Sequence, residues 1–372
     1  MQEYERAVLE KYDIDVIGTR KTRGAILCET NLGLLLLKEV KGSEKRIPVL
    51  CGLYDFLQRQ GYEKVDYILK TKEGECAARM EDGSAYVLKR WFQGRECDVR
   101  KPAELLSASG NLAKLHMVMR WPDGPVRETG LNGETGLNGE IGLNGETGIN
   151  GETKPAGKMK KSDLTEGLES EYLRHNRELS KVRKFVRSVS PKGEFEYAFL
   201  RCFDQMYQWG EAALQELMTS GCGKLLKESR RQGCMVHGEY NYHNILMIQG
   251  DYNYRKEPYR IATTNFEKFK PDVQVEDLYY FLRKVMEKHG WKVRLGDNML
   301  NAYAAIRPLS EAEMEYLCVR FIYPEKFWKT ADSYYRSNKA WVSSKNIEKL
   351  QTAIHQTEEK KRFLEEIFSF HL

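Results

Sequence analysis

Apolar and polar residues follow strand-like periods over the first ninety positions and helical periods afterwards. Tyr4, Val8 and Tyr12 share one face of a short helix over residues 3–12. Strand-like stretches follow at 13–18, 24–30 and 34–40, and the turn Thr30-Asn-Leu-Gly33 joins the last two as a hairpin. Residues 47–60 have the spacing of an amphipathic helix that Gly61 ends. Three more strand-like runs, 65–70, 75–80 and 85–91, are separated by turns at Lys72-Glu-Gly74 and Asp82-Gly83.

Helical spacing then dominates. Leu105, Leu106, Leu112, Leu115 and His116 line one predicted helix over 101–120, where His116 reads as a packed core residue. Helices are predicted again at 163–188 and 196–219, the second carrying Phe199, Phe203, Met206, Tyr207, Leu214 and Leu217. Met235-Val-His-Gly-Glu-Tyr-Asn-Tyr-His-Asn-Ile-Leu-Met247 changes from apolar to polar and back, as a tight loop between two short strands does. Residues 259–263 and 265–269 read as strands. An apolar helix follows from Asp277 to Met286, with Asp277 placed for a structural role at its start. The remainder is helical, broken at Arg307-Pro308 and Pro324. Its aromatics Phe321, Tyr323, Phe327, Trp328, Tyr334, Tyr335 and Trp341 read as core more readily than as a cage for a cation.

A regular repeat interrupts this pattern. Between 129 and 153, T-G-L-N-G-E recurs with small changes, and glycine occupies every third position from 130 to 151. That is the collagen period, but the tract holds no proline to stiffen it, so a flexible insertion is expected over 122–160.

Composition narrows the class. The chain has 372 residues, 41% hydrophobic and 30% charged, which suits a large soluble core. The longest leucine run, Leu34–Leu37, is strand-sized, so no membrane span is expected, and the N-terminus lacks a secretory pattern. Eight scattered cysteines without a C-x-x-C pair favour free thiols in a reducing compartment. A net charge of +5 is modest. The basic excess around 154–192 lacks interleaved aromatics and reads as a solvated helix face, not a nucleic-acid surface.

The candidate chemistry lies in the central loop. His237-Gly-Glu239, with Asn244 five positions after the acid, has the spacing of a kinase catalytic loop. There the acid meets the acceptor hydroxyl and the asparagine holds magnesium. Here the acid is Glu239. Asn265-Phe-Glu267 stands where a kinase carries its Asp-Phe-Gly metal motif, so Asn244, Asn265 and Glu267 are the candidate metal ligands. Lys38, closing the third strand, is the candidate phosphate holder. Glu44 and Asp55 are the carboxylates near enough in sequence to position it. Lys89, Arg90 and Trp91, where the last small-lobe strand enters a hinge, complete the candidate nucleotide contacts. No G-x-G-x-x-G loop is present, so backbone cradling of phosphate falls to residues 19–24.

The order of these motifs, with Gly94-Arg-Glu-Cys-Asp98, Leu112-Ala-Lys-Leu-His116, Val275-Glu-Asp-Leu278, Arg307-Pro-Leu-Ser310 and Pro324-Glu-Lys-Phe-Trp328, resembles the CotS family of spore coat proteins. These are relatives of aminoglycoside and choline phosphotransferases. The resemblance implies an α+β, bilobal kinase-like fold, with an antiparallel N-lobe over 1–92 and a helical C-lobe over 93–372. It implies ATP and Mg2+ as cofactors of an active member, and other coat proteins as partners. It also implies a place in the mother-cell cytoplasm and then the spore coat.

Two substitutions argue against full activity. Asn265 offers magnesium an oxygen without charge, and Glu239 adds a methylene that can displace a base by about an ångström. The expectation is a degenerate phosphotransferase serving in coat assembly. The alternatives are a weak kinase for a small hydroxylated substrate and a nucleotide-binding sensor without turnover.

Overall fold

The structure, a computed structural model, describes residues 3–22, 24–41, 44–122, 165–248, 260–336 and 344–372. The glycine-repeat tract and Trp341 lie outside the described residues. The N-terminal part contains α1 (Glu3–Leu9), β1 (Val16–Thr22), β2 (Ala25–Thr30), β3 (Gly33–Glu39), α2 (Arg46–Arg59), β4 (Ile68–Leu69), β5 (Ala78–Arg79) and β6 (Ala85–Arg90). These strands form one antiparallel sheet in the order β1-β2-β3-β6-β4, with β5 also on β6.

Register decides what each face of this sheet meets. Leu37 pairs with Leu88 and Leu36 with Lys89. Because side chains alternate along a strand, Leu35, Leu37 and Leu88 share one face and pack with Val8, Leu9 and Tyr12 of the α1 region. Leu36, Lys38, Val87 and Lys89 share the other. Val87 on that face packs in the core cluster that holds Leu50, Leu53, Tyr54 and Leu57 of α2. Both candidate lysines therefore face the body of the protein.

The chain continues with β7 (Gly94–Glu96), α3 (Pro102–Val118), α4 (Thr165–Ser188), α5 (Glu194–Thr219) and α6 (Cys222–Arg231). Then come β8 (Met235–Val236), β9 (Ile245–Ile248), β10 (Arg260–Thr263) and β11 (Lys270–Pro271). The last helices are α7 (Val275–His289), α8 (Val293–Ala304), α9 (Glu311–Ile322), α10 (Glu325–Tyr335), α11 (Ser344–His355) and α12 (Thr357–Phe368). An antiparallel N-terminal sheet with a mainly helical C-terminal part is the α+β arrangement the sequence predicts.

Helix α6 and strand β7 were not legible in the periodicity, since β7 is short and gains its order only by pairing with β9. The predicted strand over 265–269 is a correction. Asn265 has φ 64°, ψ 57°, and a 3-10 turn follows at Phe266–Lys268. Among the described residues all eight cysteines are free. Most of the aromatic run after 320 packs inward: Phe327 stacks on Phe199, Tyr323 on Tyr172 and Trp328 on His175, while Tyr335 is exposed.

Gly296 of α8 fixes how closely α12 approaches. A Cβ there would collide with the buried Phe363 ring, which packs edge-on against Trp291 and Phe321. Gly296→Ala is expected to destabilise the protein by about 1–3 kcal/mol through overpacking, read as a lowered urea midpoint at unchanged m-value.

Candidate functional site

Residues 237–244 link β8 to β9, and one buried carboxylate holds the start of this loop. Asp277 accepts the backbone amides of His237 at 2.6 Å and Gly238 at 2.9 Å. His116 approaches the same carboxylate at 3.3 Å through Nε2 and meets the Tyr303 hydroxyl through Nδ1 at 2.7 Å. Burial lowers the His116 pKa, so it serves as a neutral donor. Gly238 is required by geometry: its φ is +84°, and a Cβ would collide with the Lys268 carbonyl. The His237 ring donates from Nε2 to the Thr264 carbonyl at 2.9 Å and accepts the Glu239 amide at Nδ1, which fixes its tautomer.

This framing presents Glu239 half-exposed, and among the described residues its carboxylate has no hydrogen-bond partner. Its carbonyl accepts the Asn244 side-chain amide at 2.9 Å. Asn244 is thereby oriented with Oδ1 toward the 264–267 segment. There it accepts from Asn265 Nδ2 at 2.8 Å. Asn265 Oδ1 in turn faces the Lys38 ammonium at 3.5 Å. The left-handed backbone at Asn265 and the 3-10 turn after it swing Glu267 toward the sheet, where a regular strand would not.

Glu267 then enters a chain of alternating charge. Its Oε1 accepts from Lys38 at 3.0 Å and from Lys89 at 2.9 Å. Lys89 is wholly buried and donates to Asp66 Oδ2 at 2.9 Å. Asp66 also accepts the Tyr54 hydroxyl and the Asn265 backbone amide, both at 2.9 Å. Burial disfavours the Lys89 charge, but Asp66 and then Glu267 outweigh it and raise its pKa above the ordinary lysine value. Burial likewise opposes ionisation of Glu267, yet Lys89 and Lys38 prevail and hold its carboxyl at about 2. Burial lifts the Asp66 carboxyl above its usual range, and Lys89 pulls against that rise.

The structure thus brings Lys38, Lys89, Asn244, Asn265 and Glu267 together. Neither Glu44 nor Asp55 joins them: Glu44 pairs with Arg79 at 2.9 Å, and Asp55 is exposed. Helix α2 contributes Tyr54 instead, and Arg46 at its start donates to the Phe269 carbonyl at 2.8 Å. Arg90 lies over the rings of Tyr67 and Phe92, and the Trp91 amide is taken by the Leu34 carbonyl at 2.8 Å. Asp66 was missed in the sequence. Its only signal was a lone acid at the start of a short apolar run, where it resembles a surface charge.

The donor set does not suit a hard divalent cation. Asn244 Oδ1 is occupied by an amide, Asn265 Oδ1 faces an ammonium, and Glu267 Oε1 is shared by two lysines. Glu267 Oε2, buried without a partner, is the one carboxylate oxygen left over in this group. Among the described residues no cluster of three or more His, Cys, Asp or Glu could hold a metal.

The fold has known counterparts. An aminoglycoside phosphotransferase from Alicyclobacillus acidocaldarius superposes with a TM-score of 0.77 at 16% identity, covering 98% of this chain and 95% of that one. A spectinomycin phosphotransferase solved with ADP and spectinomycin gives 0.60 at 9% identity, covering 96% and 99%. A microcompartment-associated aminopropanol kinase gives 0.55 at 13% identity, covering 98% and 97%. At these identities the likeness is one of fold: the chain has the kinase-like fold of the aminoglycoside phosphotransferases.

In sequence, spore coat protein S of Bacillus subtilis (strain 168) is 28% identical over 184 residues, which is 49% of this chain and 50% of that protein. The chain therefore matches about half the length of that relative. The model of the family described as spore coat putative kinase YutH matches residues 171–367, more than half of the chain. On that match, with the kinase-like fold beneath it, the chain belongs to the spore coat kinase-like family of the YutH type.

Proposed function

We propose that this chain is a spore coat component that keeps a phosphotransferase fold as scaffold and does not carry out metal-dependent phosphoryl transfer. The observation that carries this reading is the direct hydrogen bond between Asn265 and Asn244. In a working kinase these two positions turn their oxygens to magnesium, which neutralises charge on the transferring phosphate. Here one amide satisfies the other. Lys38, which in the fold's active members reaches phosphate, is instead engaged by Glu267. A nucleotide would have to break both contacts and would gain no metal-bound charge in return.

The seat is also expensive to open. Pulling Glu267 away would leave the buried Lys89 with Asp66 alone to compensate its charge, and Lys38 without its carboxylate. On this reading the exposed faces of the helices meet other coat proteins. Among the described residues no helix is long and apolar enough to cross a membrane. Synthesis in the mother-cell cytoplasm followed by deposition on the forespore fits this reading.

Three measurements test it. ATP with Mg2+ is expected to leave the melting temperature unchanged, and no ADP is expected in the presence of hydroxylated acceptors. A metal-dependent shift without product would favour the sensor reading, and steady ADP release the weak kinase. In Asn265→Asp the amide–amide bond is replaced by a carboxylate, and Mg2+-dependent nucleotide binding is the expected gain.

The charge chain makes a prediction of its own. Glu267 has a folded-state pKa of about 2 against an ordinary 4.5, so its contribution is complete above pH 4.5 and lost as pH falls through 2. The destabilisation caused by Glu267→Gln should therefore be greatest above pH 4.5 and shrink toward pH 2, followed by urea unfolding. Lys89→Met alone should cost about 3–5 kcal/mol, and adding Asp66→Asn should recover most of that loss.

A further inference from the structure

A cavity lies in the helical part, away from the lysine chain. It offers about 40 Å³ between α5, α7, α10 and the start of α12, with Trp209, Trp291 and Phe321 among its walls. That is room for about three waters, or for a ligand of only a few heavy atoms. Helix α7 links it to the loop described above. Asp277 in its first turn holds the 237–238 backbone, while Arg283 and Glu287 line the cavity six and ten residues later. At 1.5 Å per residue these are about 9 and 15 Å further along the axis.

The polar groups on its walls are buried and incompletely satisfied. Arg283 is 6% exposed and Glu325 7% exposed. Arg283 Nη1 donates to Glu287 at 2.6 Å, but its Nε–H has no acceptor. Glu325 Oε1 meets Lys329 at 2.8 Å, but its Oε2 has no donor. Lys360 gives two bonds to the Ile322 and Tyr323 carbonyls, at 3.4 and 3.2 Å, with its ammonium over the rings of Trp209 and Trp291. A charged lysine has three N–H donors, so one remains. Burial draws its pKa down to about 7, with Glu287 and Glu325 opposing and Arg283 assisting.

Unsatisfied buried polar atoms are costly, and a ligand that satisfies them recovers that cost on binding. The sign of each group selects the ligand. A lone carboxylate would answer Arg283 and Lys360 but face Glu287 and Glu325. A lone amine would answer Glu325 but face Arg283, Lys326 and Lys360. We propose that this cavity binds a small zwitterion, its carboxylate taken by Arg283 and Lys360, its amine by Glu325, and its methylenes covered by the tryptophans. The site is independent of nucleotide binding between Lys38 and Asn265.

The test uses the full chain and a ladder of ω-amino acids from glycine to 6-aminohexanoate, with the n-alkylamine and n-alkanoate of each length as controls. Tryptophan fluorescence and melting temperature are read together. At least one ω-amino acid is expected to give a saturable change in both, with neither control reproducing it. The isosteric Glu325→Gln should weaken that response about tenfold or more, while Asn265→Asp leaves it unchanged. No saturable response from any member of the ladder, or an equal response from amine or acid alone, would overturn the assignment. So would an undiminished response in a Glu325→Gln protein whose circular dichroism matches wild type. The wild-type comparison decides the matter even where a variant does not fold.

Discussion

The Lys89 ammonium, buried between Asp66 and Glu267, is the contact on which the candidate site depends. A lysine at this depth keeps its charge only because carboxylates on two sides compensate its lost hydration. Those carboxylates come from different parts of the fold. Asp66 precedes β4, and Glu267 sits in the turn after β10. The ion chain therefore fastens the N-terminal sheet to the catalytic-type loop region, and its extension to Lys38 brings in β3. Tyr54 adds α2 through Asp66, and the Asn265 backbone amide adds the motif itself.

On the function proposed above, this arrangement lets a kinase-like architecture persist without kinase chemistry. The backbone devices of the loop are intact: Asp277 grips two amides, His237 bridges to Thr264, and Gly238 adopts a conformation closed to other residues. These hold shape whether or not phosphate is transferred. What differs is the charge of the seat. An amide at 265 bonds to the amide at 244, and the acid two residues later turns back to two lysines. Oxygens of the kind that would coordinate a cation are used within the protein, and the seat becomes part of its structural framework.

Helix α7 organises the lower half of the molecule in the same way. Its first turn supports the catalytic-type loop, its middle packs in the core through Leu278, Phe281, Leu282 and Val285, and its last turns line the cavity with Arg283 and Glu287. The C-terminal helix brings Lys360 to that cavity from the far end of the chain. The aromatic run that follows 320 reads in sequence as core more readily than as a cage. Most of it is core, and at the cavity the rings under a cation are Trp209 and Trp291, beneath the protein's own Lys360.

Periodicity was sufficient for most of the helices, α6 excepted, and for the large strands, because burial of one face imposes a repeat on the sequence. The spacing of His237, Glu239, Asn244 and Asn265 likewise located the loop and the turn that packs beside it, since backbone geometry ties those residues to fixed offsets. Partners were another matter. Sequence offered Glu44 and Asp55 for Lys38 because both were close in the chain, and it placed Lys89 beside the hinge without revealing its burial. Only the register of β3 on β6 put Lys38 and Lys89 on one face, and only the left-handed turn at Asn265 carried Glu267 to them. Electrostatic pairing acts through space and leaves no period along the chain, so tertiary structure alone decided which acid met which base.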